Sequence, residues 1–294
     1  MTQHRSNDVA AATAPDVEEA YACCEAITRA HYENFPVGSV LVPKALRRHF
    51  YSVYAYSRGA DDIADEGMRS VQERLALLDE WERHLEEAID GTATHPVFVA
   101  LGATITDRGL PARPLRDLLT AFRLDARNQG YATYEDLLGY CRCSANPVGR
   151  LVLAIFGLLT PERAALSDEI CTALQLANFW QDISVDLPRD RVNVPREVME
   201  RFGCTADDLR AGRLSPAVRA MLEYLVADAR MRFARGRALL RMIPVRRLRW
   251  ELGAVTVGGE RILGKIQASG YDVFRHRPSL GVADKVAMLW GAFR

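Results

Sequence analysis

Oxygen-bearing side chains recur every four residues along Asn178-Phe179-Trp180-Gln181-Asp182-Ile183-Ser184-Val185-Asp186. On a helix, Asn178, Asp182 and Asp186 stack on one face with neighbours about 6 Å apart. Phe179, Ile183 and Val185 sit among them, so carboxylates interrupt an otherwise apolar segment. Carboxylates in apolar surroundings are costly unless a cation compensates them, which calls for a metal or a basic partner. A second acidic set occurs upstream in Asp61-Asp62-Ile63-Ala64-Asp65, and Tyr51, Tyr54 and Arg58 share a helical stripe with Asp61 and Asp65.

If these two pairs faced each other across a cavity, four carboxylates would crowd one site. Without a cation their repulsion raises their pKa values; with a divalent cation they stay ionised. Carboxylates plus an amide oxygen suit hard Mg²⁺ rather than zinc or iron. No His or Cys stands at a matching offset, and the Glu-x-x-His signature of di-iron bundles is absent. Mg²⁺ held in this way keeps waters and bridges to substrate phosphates. Arg58, Arg189 and Arg191 lie close to the acidic faces in sequence. They are equally suited to bind diphosphate oxygens or to pair with the same aspartates.

Helices must position these groups. Apolar periodicity and Pro/Gly punctuation predict helices over about 16–31, 43–66, 70–90, 96–108, 114–129, 134–156, 215–241 and 247–269, and a short helix and loop over 197–212. Pro161 opens a helix pair that carries the Asn178–Asp186 stretch, and a basic, proline-bounded loop follows at 188–195. Small residues and Pro147 in Ser144-Ala145-Asn146-Pro147-Val148-Gly149 predict a kink with close backbone approach. Asn34-Phe35-Pro36-Val37-Gly38-Ser39 breaks a helix, and Phe35 with His31 is placed to line a pocket mouth. Asp125 and Arg127 are ambiguous between surface and site. Trp180 reads as packing. Residues 1–15 read as a disordered tail and 16–294 as one all-α domain, since no period-2 strand pattern or solenoid repeat stands out. Val282, Val286, Leu289, Trp290 and Phe293 form an apolar stripe that packs on the body more often than on a membrane.

Composition bounds the function. Lys plus Arg and Asp plus Glu number 38 each, so the basic excess of a nucleic-acid binder is missing. Six cysteines without a CxxC pair read as reduced, mostly buried thiols of a cytoplasmic protein. No signal peptide and no apolar run of spanning length is evident. There is no G-x-S-x-G elbow, P-loop or dinucleotide fingerprint.

These segments resemble the squalene/phytoene synthase family. Asp61-Asp62-Ile63-Ala64-Asp65, preceded by Tyr54 and Arg58, resembles its first aspartate-rich motif, and Asn178 to Asp186 its second. Tyr140-Cys141-Arg142-Cys143-Ser144-Ala145-Asn146-Pro147-Val148-Gly149 is similar to its tyrosine-led segment. Gly270-Tyr271-Asp272-Val273-Phe274 is similar to its closing motif. The resemblance spans about residues 20–280 in consistent order. Asn34-Phe35-Pro36, Arg150 and Asn178-Phe179-Trp180-Gln181-Asp182 look closest to the bacterial hydroxysqualene synthases of hopanoid biosynthesis. Arg142, Asn193 and Gly259 stand where carotenoid-forming members tend to have tyrosines.

The resemblance implies an all-α isoprenoid synthase bundle with a central cavity. It implies Mg²⁺ on Asp61, Asp65, Asn178, Asp182 and Asp186, with no NADPH expected. Substrate contacts would come from His31, Phe35, Arg58, Gln175, Asn178 and Arg191. Tyr54 and Tyr140, with the four aspartates, would serve catalysis. The implied reaction is ionisation of presqualene diphosphate with capture of the cation by water, and Gly258-Gly259 with Asn193 would leave room or polarity for that water. Two alternatives stand beside it: condensation of two farnesyl diphosphates, and a non-catalytic assembly factor on the same fold. An apolar product is compatible with transient contact at the inner membrane face and with partner enzymes of the hopanoid pathway.

Overall fold

A computed structural model describes residues 15–30, 42–65, 67–275, 277–281 and 284. The expectations for residues 1–14, for His31 and Phe35, and for the apolar stripe at 282–293 lie outside these residues. Every regular element among the described residues is helical. In chain order these are α1 Val17–Ala30, α2 Lys44–Asp65, α3 Val71–Asp90, α4 Pro96–Arg108, α5 Ala112–Arg127, α6 Tyr134–Ser144, α7 Asn146–Ile155 and α8 Pro161–Asp186. After a 3₁₀ turn at Leu187–Arg189 come α9 Arg196–Arg201, α10 Ala206–Arg210, α11 Pro216–Gly236, α12 Ala238–Met242 and α13 Arg246–Ala268.

Local chemistry sets the ends. Ser70 and Glu73 close a reciprocal capping box at the start of α3, and Thr133 with Asp136 does the same for α6. Pro161 occupies the first turn of α8, where its missing N–H costs nothing, behind the N-cap hydroxyl of Thr160. The segment 134–156 breaks at Ala145 into α6 and α7, with Pro147 in the first turn of the second. The expected helix pair after Pro161 is instead one continuous helix of 26 residues, about 39 Å long. Its mid-helix polar residues do not interrupt it, because they share a face that points away from the core.

Two hydrophobic clusters organise the chain. One draws on α1 to α5 and on Leu151, Ala154 and Ile155 of α7, around Phe98, Tyr56 and Leu101. The other surrounds α8, α11 and α13, with Trp180, Phe233 and Leu225 fully buried. The two helices that carry the acidic motifs are held apart: α5 packs on α2, α6 packs on α5 and α8, and α7 bridges α2, α5 and α8. Close approach of α7 to α8 depends on Gly149, where a Cβ would fall 2.3 Å from Ser167 Oγ and 2.6 Å from Cys171 Sγ.

Candidate active site

The face of α8 opposite its core stripe supplies Gln175, Asn178, Phe179, Asp182 and Asp186 to a cavity of about 690 Å³. Ile170, Ala173, Leu176, Ala177, Trp180 and Ile183 occupy the buried face, so helical spacing alone sorts core from cavity. Asp61 and Asp65 enter from α2, Asp125 from α5 and Tyr140 from α6. The loop after α5 adds Tyr131, and the loop after α8 adds Arg191 and Asn193. These loops are tied together: Arg196 and Glu197 N–H groups donate to the carbonyls of Tyr131 and Ala132 at 3.0 Å each. Arg191 N–H donates to the Asp186 carbonyl at 3.1 Å, which turns the chain back over the cavity.

Each acidic motif meets a counter-charge from another part of the chain. Arg191 Nη2 donates to Asp65 at 2.6 Å. Arg277 holds Asp182 through two hydrogen bonds, and Asn193 Nδ2 donates to Asp186 at 2.9 Å. Arg58 pairs with Asp61 at 3.0 Å and with Asp62 at 2.5 Å along its own helix. Arg58 and Arg191 meet in a second cavity of about 540 Å³ on the outer side of the first motif, together with Arg74 and Arg189. Burial, then the Asp182 charge, raises the carboxyl pKa of Asp186, partly offset by Arg191 and Asn193. Burial lifts Asp125 to about 7, and the Asp65 and Asp61 charges add to it. Tyr140 donates to Asp125 at 3.2 Å, which favours the ionised carboxylate and limits that rise.

Aromatic rings line the cavity beside these carboxylates. The Tyr131 and Tyr140 centroids are 5.7 Å apart, and Phe179 lies 5.9 Å from Tyr140 and 6.4 Å from Tyr131. The arrangement joins an oxygen-rich end to a π-faced wall. Such a site can hold a charged head group at one end and tolerate positive charge in an apolar chain at the other. The candidate donors Asp61, Asp65, Asn178, Asp182 and Asp186 all present oxygen to one cavity, the chemistry of a hard cation. No three His, Cys, Asp or Glu side chains form a ready metal cage among the described residues. A cation here would therefore complete its shell with water and ligand oxygens, as Mg²⁺ commonly does.

The sequence profile of squalene/phytoene synthases matches residues 28–284. The chain belongs to the squalene/phytoene synthase family. A hydroxysqualene synthase of Rhodopseudomonas palustris is 35% identical over 236 residues, 80% of each chain. A 15-cis-phytoene synthase of Synechococcus elongatus is 30% identical over 275 residues, 89% of this chain and 88% of the relative. The crystal structure of squalene synthase HpnC from Alicyclobacillus acidocaldarius superposes with a TM-score of 0.83 at 48% identity, covering 87% of this chain and 96% of that one. A dehydrosqualene synthase in complex with ligand gives 0.80 at 25% identity, over 94% and 96%. The all-α isoprenoid synthase fold expected from the motifs is thereby established, and the chain is an enzyme of that type.

Within this squalene/phytoene synthase, the structure gathers Asp61, Asp65, Tyr140, Gln175, Asn178, Asp182, Asp186 and Arg191 around one cavity. Arg58 reaches only the outer cavity, and Tyr54 lines neither. The expected role of Gly259 is corrected. A Cβ there would meet Phe233 Cζ at 2.4 Å and Leu174 Cδ2 at 2.9 Å, so the missing side chain makes room for packing between α13, α11 and α8 rather than for water. Asn193 does face the cavity, but its amide is engaged with Asp186. Trp180 is fully buried, and its indole N–H has no hydrogen-bond partner among the described residues, in keeping with packing. Sequence reasoning missed Tyr131 and Arg277 and left Asp125 undecided. The aromatic after the Asn128-Gln129-Gly130 turn and the acidic residue four positions before Gln129 were the available signals.

Proposed function

We propose that this enzyme ionises presqualene diphosphate and lets water capture the carbocation, giving hydroxysqualene and diphosphate. The observation that carries the reading is the pairing of one cavity's two walls: aspartates from α2 and α8 at one end, and the Tyr131, Tyr140 and Phe179 rings beside them. The 35% identity to a hydroxysqualene synthase and the 48% identity to a bacterial squalene synthase structure support a squalene-type reaction over phytoene formation. In this reading Asp61, Asp65, Asn178, Asp182 and Asp186 hold Mg²⁺. Bound Mg²⁺ supplies Lewis-acid stabilisation of the departing diphosphate.

The chain's own groups do the rest. Arg191 reaches from its pair with Asp65 toward diphosphate oxygens, and Arg58 reinforces the same wall from the outer cavity. Gln175 and Asn178 orient the head group along α8. Tyr131, Tyr140 and Phe179 face the carbocation with π-electron density, which stabilises charge without the covalent capture a carboxylate would cause. Burial, the largest cause of the raised Asp125 carboxyl in the metal-free cavity, favours its protonated form, which is less of a trap than an ionised one. Water adds to a tertiary or allylic cation with little activation, so the reaction needs no strong base.

The test is incubation with presqualene diphosphate and Mg²⁺ in the absence of NADPH, followed by product identification. Hydroxysqualene is the expected product, and Asp61→Asn or Asp182→Asn should lower its formation by at least about 100-fold, a loss of roughly 2.7 kcal/mol of transition-state stabilisation. No alcohol from presqualene diphosphate refutes the reading. Formation of presqualene diphosphate from farnesyl diphosphate would instead favour the condensation step. The 30% identity to a phytoene synthase over most of both chains keeps that step as the second reading.

A further inference from the structure

Arg277 belongs to neither aspartate motif, yet its guanidinium sits on the central acid of the second one. Its Nε and Nη2 donate to the two oxygens of Asp182 at 2.5 and 3.2 Å, a fork on both sides of the carboxylate. The strap that carries it, 277–281, is anchored independently. Gln181, next to Asp182 on α8, donates its buried side-chain amide to the Pro278 carbonyl at 2.6 Å. Leu280 packs on the C-terminal hydrophobic cluster, and Gly281 N–H donates to Asp284 at 2.8 Å. Asp284 is in turn held by Lys265 and Arg261 of α13 at 2.8 and 2.9 Å. These contacts keep the strap at the cavity edge when the Arg277–Asp182 pair opens, while the pair itself adds order to the strap and ties it to a motif carboxylate.

A carboxylate whose two oxygens are engaged by a guanidinium cannot offer the same geometry to a divalent cation, which binds oxygen at about 2.1 Å. The two positive groups would also repel at that separation. We propose that Arg277 is a resting-state counter-ion that occupies the cation position at Asp182, so that cation loading displaces its guanidinium and loosens strap 277–281. The proposal rests on the reading that Asp182 takes a divalent cation. Arg277 is then a positioning residue: it sets the threshold for cation entry. The Gln181–Pro278 bond keeps the displaced arginine tethered at the cavity edge. Because the Arg277 side chain is 50% exposed and that of Asp182 27% exposed, the pair is weak enough to be exchanged and close enough to be felt.

The experiment titrates the full chain with Mn²⁺ by calorimetry and follows amide hydrogen exchange at 279–281 with and without the ion. In Arg277→Gln, Mn²⁺ should bind about fivefold tighter than in the wild type, with Arg277→Lys between the two. Mn²⁺ should accelerate exchange at 279–281 in the wild type, and metal-free Arg277→Gln should already exchange at that faster rate. Matching far-UV circular dichroism and melting temperature confirm that the variants are folded. Unchanged Mn²⁺ affinity in Arg277→Gln, while Asp182→Asn abolishes binding, overturns the counter-ion role alone. Absence of Mn²⁺ binding to the wild type, even with inorganic diphosphate present, overturns both this role and the metal reading beneath it.

Discussion

Asp125→Asn should stabilise the metal-free protein at alkaline pH and do little at acidic pH. Burial raises the Asp125 carboxyl from 3.8 to about 7, with Asp65 and Asp61 adding repulsion. The folded state therefore keeps a proton that the unfolded chain has already released between these values. Stability falls as pH rises across that window and levels off above about 7. The full fall is at most about 4.5 kcal/mol at 1.4 kcal/mol per pH unit. Water in the cavity and relaxation around the carboxylate reduce it to about 1–3 kcal/mol. Asn has nearly the shape of protonated Asp and cannot ionise, so the variant should escape the fall. Urea denaturation in the presence of a chelator, at pH 5 and pH 8, measures it. Asp125→Asn should gain about 1–2 kcal/mol more at pH 8 than at pH 5. An equal effect at both pH values would refute the argument, because it would mean that the native carboxyl ionises at an ordinary pKa.

Three further outcomes follow from other contacts. Tyr140→Phe removes the hydroxyl that donates to Asp125 at 3.2 Å, so it should cost about 1–2 kcal/mol at pH 8, where the carboxylate is charged, and less at pH 5; equal losses would separate the bond from the charge. Gly259→Tyr should lower the melting temperature by more than about 6 °C or abolish soluble expression, since even a Cβ meets Phe233 at 2.4 Å; a stable variant with a new product would restore a cavity role for this position. Ser70→Ala opens the capping box of α3 and should cost about 1 kcal/mol in urea denaturation without changing Mn²⁺ affinity.

The helices were legible because their signals are local. Pro96 and Gly109 bound α4 at the expected residues, and the amphipathic spacing of Leu75, Leu78 and Leu85 places α3 within a residue of its observed start. The acidic motifs were legible because four-residue spacing fixes a face before any tertiary contact is known. What escaped depends on distance along the chain or on what fills an empty space. Arg277 reaches Asp182 across 95 residues, and no periodicity announces that pairing. Gly259 shows a missing side chain, but only Phe233 and Leu174 reveal that the space belongs to packing. Arg58 and Arg191 were balanced between aspartate and diphosphate, and the resting structure gives both to aspartates. The continuity of α8 was obscured because its polar residues mark a cavity face, not a break.

The chain's own charges hold this acidic cavity together. Asp65, Asp182 and Asp186 share one cavity, and left bare they would repel one another and destabilise the seam between the two hydrophobic clusters. Arg191, Arg277 and Asn193 neutralise or hydrogen-bond them, each from a segment outside the two motif helices. Partly exposed ion pairs add little net stability, because desolvation offsets most of their attraction. They are therefore suited to exchange: replacing a guanidinium by a cation forfeits little of the fold. The same arginines, once released, stand beside the space where an anionic head group would sit. A purely apolar seam would be more stable but could not accept charge, and a purely acidic one would be less stable for its unrelieved repulsion. The arginine-neutralised seam meets both conditions, with counter-charges that come from loop and strap positions and not from α2 or α8 alone.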